Sequence, residues 1–153
     1  MVLIPLGDDA PHARRDTPYV TYALIALNVA IFVWRQTVSH GEDIVFERHW
    51  GVTPALMFGT NDLGIVERFY PLFTYMFLHG GWAHLIGNML FLWIFGDDIE
   101  DALGHARFIA FYLLCGAFGA LLYCVFTKHP QAPLVGASGA IAGVMGAYLM
   151  IRP

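Results

Sequence analysis

Apolar residues in this chain come in long runs rather than in alternation. Stretches without Asp, Glu, Lys or Arg extend from Thr17 to Trp34, Phe69 to Gly96, Phe108 to Thr127 and His129 to Ile151. Each holds at least 18 residues, and a helix rising about 1.5 Å per residue needs about 20 to cross a hydrocarbon layer of about 30 Å. The pattern predicts four membrane helices, near residues 18–34, 82–99, 106–126 and 137–151, in an all-α, multi-pass transmembrane bundle. Thr17 is the expected N-cap of the first helix, with Pro18 at its first helical position. Gly80-Gly81 marks the turn before the second helix, and the acidic cluster Asp97, Asp98, Glu100 and Asp101 its end. A cleaved signal peptide fits the first run less well. Signal cores hold about 7–15 apolar residues, and no small-x-small site follows at Val33 to Thr37.

Between the first two helices lies a connection, residues 35–70, that is long but not plainly hydrophilic. Phe46, Trp50, Leu56, Met57, Phe58, Phe69 and Tyr70 are interleaved with Glu42, Asp43, Glu47 and Arg48. Aromatic residues beside charges suit a membrane–water interface. Residues 1–16, with Asp8, Asp9, Arg14, Arg15 and Asp16, read as a polar tail. Residues 17–153 then form one membrane domain.

Composition sharpens this picture. The chain has 153 residues, 58% of them hydrophobic and 13% charged, about half the charged fraction of an ordinary soluble domain. A formal net charge of −4 without any basic patch gives no footprint for nucleic acid. Cys115 and Cys124 lie within one expected span, at a spacing that fits neither a zinc knuckle nor a disulfide framework. A cytoplasmic N-terminus would leave four basic residues on each side of the membrane, and the Arg14-Arg15 pair ahead of the first helix tips the balance towards it.

Polar groups inside an apolar span need partners or a purpose, since an unpaired one costs several kcal/mol there. His79, His84 and Asn88 stand out in the second run. His84 and Asn88 are four apart, so they share a helix face and can donate hydrogen bonds into one space. Ser138 begins the fourth helix, where free N–H groups and the positive dipole end favour a developing anion. A hydroxyl, its neighbouring N–H groups and two neutral donors are the parts of an oxyanion site. Each part has a plainer reading too. Ser138 is a cap or a packing residue, and His84 and Asn88 join helices through a hydrogen bond. Gly139, Gly143 and Ala147 form a small-residue ridge that lets another helix approach closely. The turn Gly136-Ala137-Ser138-Gly139 is followed by Ala140, so it does not complete the Gly-x-Ser-x-Gly elbow of soluble hydrolases. Lys128, the only lysine, lies ten residues upstream of Ser138 and reads as an interfacial anchor, not a catalytic base. His79 and His84 lack the further convergent ligands that a metal site needs.

At these residues the chain resembles a family. Phe77-Leu78-His79-Gly80-Gly81-Trp82-Ala83-His84-Leu85-Ile86-Gly87-Asn88-Met89 and Gly136-Ala137-Ser138-Gly139 are similar to the His-x-x-x-Asn and Gly-x-Ser-Gly signatures of rhomboid intramembrane serine proteases. Bacterial members resemble it also around Arg15-Asp16-Thr17-Pro18-Tyr19 and Gly96-Asp97-Asp98-Ile99-Glu100-Asp101. The resemblance implies a six-helix bundle, of which four helices are present here. It implies Ser138 as nucleophile, His84 and Asn88 as oxyanion donors, and His79, Gly136 and Gly139 as pocket supports. Substrates would be transmembrane proteins cleaved in or beside their membrane segment, with the lipid bilayer as medium and no metal or cofactor. It implies a multi-pass protein of the bacterial inner membrane. Two departures stand out. Tyr70-Pro71 occupies the place where many relatives carry Trp-Arg, which questions the anchoring of the 35–70 segment. The family's general-base His lies on a sixth helix, and none of the seven histidines here has that context. The expectation is an incomplete copy, inactive by itself, whose gene continues past Pro153 into a Gly-rich span with His. The alternative is a non-catalytic rhomboid-like protein that binds client transmembrane helices.

Overall fold

A computed structural model describes residues 17–151. The expected polar tail, residues 1–16, and Arg152-Pro153 lie outside the described residues. Among the described residues the regular elements are helices, with one isolated antiparallel bridge, Val52 to Leu134. Four long helices form the bundle: α1 (Tyr19–Arg35), α6 (Trp82–Leu103), α7 (His105–Phe126) and α8 (Ser138–Ile151). Between α1 and α6 come α2 (His40–Trp50), α3 (Pro54–Phe58), α4 (Ile65–Phe69), α5 (Pro71–Thr74) and a 3-10 turn, Tyr75–Phe77.

Each long helix turns a narrow stripe inward. On α1 the buried residues are Thr21, Leu24, Asn28, Phe32 and Arg35, and on α7 they are Phe108, Tyr112, Gly116 and Ala120. Steps of three and four place each set on one face. The opposite face of α7 exposes Leu114, Phe118, Val125 and Phe126, an apolar surface that only lipid or further protein would cover at no cost. Among the described residues α7 alone is both long and apolar enough to cross a membrane; α1 and α8 are apolar but shorter. α6 has the length but carries acidic residues in its last turns.

α8 packs chiefly on α7, then on α6. Glycines set the closeness of the first crossing. A Cβ on Gly119 would lie 3.1 Å from the Gly139 Cα, and one on Gly143 would lie 2.4 Å from Cys115 Sγ. Two of the three ridge residues on α8 therefore face α7, as small-residue packing requires.

The element boundaries differ from expectation in three places, each for a physical reason. α1 begins at Tyr19, with Pro18 as N-cap and no side-chain cap, so Thr17 does not cap it. Glu100 of α6 serves the free N–H groups instead: its carboxylate accepts from Val20 N at 2.9 Å, Thr21 N at 2.8 Å and Thr21 Oγ1 at 2.7 Å. For the same reason the acidic cluster does not end α6. Asp98 and Glu100 are buried within it, and the helix runs on to Gly104, which has φ +79° and donates its N–H to the Glu100 carbonyl at 2.7 Å. Residues 35–70 are also no open loop. Ser39 and Glu42 form a reciprocal capping box that starts α2, and Arg68 donates to the carbonyls of Met57, Gly59, Asn61 and Leu63. The Tyr70 hydroxyl donates to the His49 carbonyl at 2.7 Å. The anchoring questioned at Tyr70-Pro71 is thus supplied by Arg68 and Tyr70.

Candidate active site

Ser138 is the first residue of α8 and is solvent-exposed. The turn that delivers it is held from two sides. Val52 and Leu134 exchange backbone hydrogen bonds at 3.1 and 2.8 Å, and the Ala55 N–H donates to the Pro130 carbonyl at 2.9 Å. Two residues before the serine, the Gly136 N–H donates to the Tyr75 carbonyl at 3.0 Å. The α2–α3 segment and the 3-10 turn therefore fix where α8 begins.

Gly136 is required twice over. Its φ of +119° lies in the region that favours glycine, and a Cβ there would sit 2.5 Å from His84 Cε1 and 2.6 Å from Nε2. The missing side chain lets the His84 ring rest against the turn leading to Ser138. His84 and Asn88, one turn apart on α6, then line the same open cavity as Ser138, of about 340 Å³, with Gly87, Phe91 and Met145 among its walls. The Asn88 amide gives one proton to the His84 carbonyl at 3.0 Å and keeps a second donor. Gly139, the other motif glycine, faces α7 and not the cavity, with its Cβ position 2.8 Å from the Tyr75 hydroxyl.

His79 is not in the cavity. It is buried behind His84, their ring centroids 5.1 Å apart, and among the described residues neither of its ring nitrogens has a partner. It lies outside the four long helices. Burial first, then His84 and Arg35, pushes its pKa down to about 4, so the ring is neutral at physiological pH. Its carbonyl accepts from Arg35 Nη1 at 3.2 Å. Arg35 is itself buried and pairs with Asp43 at 2.7 Å and Glu47 at 2.5 Å on α2. One guanidinium thus ties α1, α2 and the strand of chain ahead of α6. Residues of this kind escape a reading of motifs, because Arg35 and Tyr75 find their partners on other elements.

The arrangement offers a hydroxyl at a helix N-terminus, with the His84 ring and the Asn88 amide lining the same hollow. Such a set can stabilise a tetrahedral oxyanion in acyl transfer. Among the described residues no three His, Cys, Asp or Glu side chains converge to hold a metal.

Comparison with known proteins follows the same residues. The sequence pattern of the Rhomboid domain matches residues 66–153. The chain is 34% identical to "Rhomboid protease GluP" of Bacillus subtilis over 143 residues, which covers 90% of this chain and 25% of that protein. It is 32% identical to "Putative rhomboid protease YdcA" of the same species over 135 residues, 88% of this chain and 62% of that one. "RHOMBOID-like protein 5" of Arabidopsis thaliana is 38% identical over 80 residues, 52% of this chain and 26% of its own. The chain spans about a quarter of the first and third of these relatives and under two thirds of YdcA. With the signature residues gathered at one cavity and the domain pattern covering more than half its length, the chain belongs to the rhomboid family of helical integral membrane proteins.

Proposed function

We propose that this chain is the core of an intramembrane serine endopeptidase that cleaves membrane-anchored proteins in or near their transmembrane segment. Ser138 Oγ attacks the scissile carbonyl and its proton passes to the general base; the C–N bond then breaks, the amine fragment leaves with that proton, and water hydrolyses the acyl-enzyme to free the carboxyl fragment. His84 and the free donor of Asn88 stabilise the oxyanion together with N–H groups at the start of α8. The single observation behind this reading is that these three side chains line one cavity. A serine hydroxyl needs a general base. In this reading His84 and Asn88 serve as oxyanion donors, so the base is a further group, and without it the chain is inactive. The protein sits in the bacterial inner membrane with a cytoplasmic N-terminus.

The test uses the complete gene product in liposomes and an alkyl fluorophosphonate. Covalent labelling at Ser138, abolished in Ser138→Ala while the fold is retained, supports the protease. Absence of labelling in the unmodified protein, with client transmembrane peptides still captured, favours a non-catalytic rhomboid-like binder instead.

A further inference from the structure

Tyr75 touches the nucleophile's turn on both sides without entering the cavity. It is buried in the 3-10 turn. Its carbonyl accepts the Gly136 N–H at 3.0 Å, two residues before Ser138. Its hydroxyl donates to the Gly116 carbonyl of α7 at 2.8 Å. The same oxygen lies 2.8 Å from the Cβ position of Gly139, just after Ser138, and 3.8 Å from that of Gly119. The phenol thus ends in a slot between α7 and α8 whose walls are glycines. A tyrosine that only filled space would need the ring and not this oxygen, since the carbonyl bond is open to any residue at position 75. Here the hydroxyl is the part that spans from the serine's turn to α7.

We propose that Tyr75 is a positioning residue for Ser138: it holds the turn from Gly136 to Gly139 against α7 and so sets the direction in which the serine hydroxyl enters the cavity. The proposal rests on the serine-protease reading and deepens it. Misplacing a reacting group lowers the rate of bond formation while leaving prior binding almost unchanged. A purely structural tyrosine would instead lower stability and leave the rate per folded molecule intact.

The experiment measures inactivation of the complete protein in liposomes by an alkyl fluorophosphonate, separating the maximal rate kinact from the half-saturation constant KI. Tyr75→Phe keeps the ring and is expected to lower kinact about tenfold with KI within roughly a factor of two. Gly139→Ala places a methyl against the Tyr75 hydroxyl and lowers kinact as well. The double variant Tyr75→Phe/Gly139→Ala removes that clash but still lacks the hydroxyl, so its kinact stays near that of Tyr75→Phe. Unchanged kinact in Tyr75→Phe overturns the proposal while leaving the protease reading intact, and so does a double variant as fast as the unmodified protein. An unmodified protein that never labels at Ser138 overturns both.

Discussion

Glu100→Gln is the sharpest test of how α1 is seated. The carboxylate is fully buried and accepts four hydrogen bonds: Val20 N and His105 Nδ1 on one oxygen, Thr21 N and Thr21 Oγ1 on the other. Glutamine keeps one accepting oxygen and turns an NH2 group towards the second pair of donors. When that pair is Val20 and His105, the imidazole can present its bare nitrogen, but the Val20 N–H is left buried against another donor. An unsatisfied buried donor costs about 1–3 kcal/mol, and the charge assistance of the remaining bonds is lost too. Removing a negative charge from the positive end of α1 adds up to about 1 kcal/mol. The expected loss is about 3 kcal/mol, or about 6–12 °C in thermal midpoint for a domain of this size. The measurement is thermal unfolding in detergent micelles followed by tryptophan fluorescence, with exposed Asp62→Asn as the control. A Glu100→Gln midpoint no lower than that of Asp62→Asn would refute the claim that α6 caps α1 through this side chain.

Three other expectations follow from the same geometry. Under the proposed mechanism Asn88→Ala and His84→Ala should each slow fluorophosphonate labelling of Ser138 in the complete protein by about a hundredfold, as expected for loss of one oxyanion donor. Gly143→Ala should destabilise the α7–α8 contact by about 1–3 kcal/mol, because the new methyl meets Cys115 Sγ at 2.4 Å; thermal unfolding reads the loss. His79 should make stability fall as pH drops. Its folded pKa is about 4 against an ordinary 6.5, so the unfolded chain takes up a proton first. This part of the stability is whole above pH 6.5 and lost progressively down to about 4, up to about 3 kcal/mol. Chemical denaturation across that range should show the slope, and His79→Asn should flatten it.

The sequence by itself determined the inventory of this protein. Charge-free runs announce long apolar helices because lipid and buried protein both exclude unpaired charge, and that signal needs no partner to be read. The Gly80-Gly81 turn and the His84–Asn88 face are equally local, set by contacts within four residues. The tertiary structure alone decided which groups meet. Glu100 looked like a helix terminator because nothing in its neighbourhood shows a helix end, 79 residues away in the chain, that needs an acceptor. Arg35, Arg68 and Tyr75 were invisible for the same reason: each earns its role from carbonyls or carboxylates on other elements. Even Gly136 shows its necessity only when the His84 ring is brought against it. Local patterns encode helices through near-neighbour sterics, whereas a site is a set of distant donors and acceptors whose pairing exists only once the chain is packed.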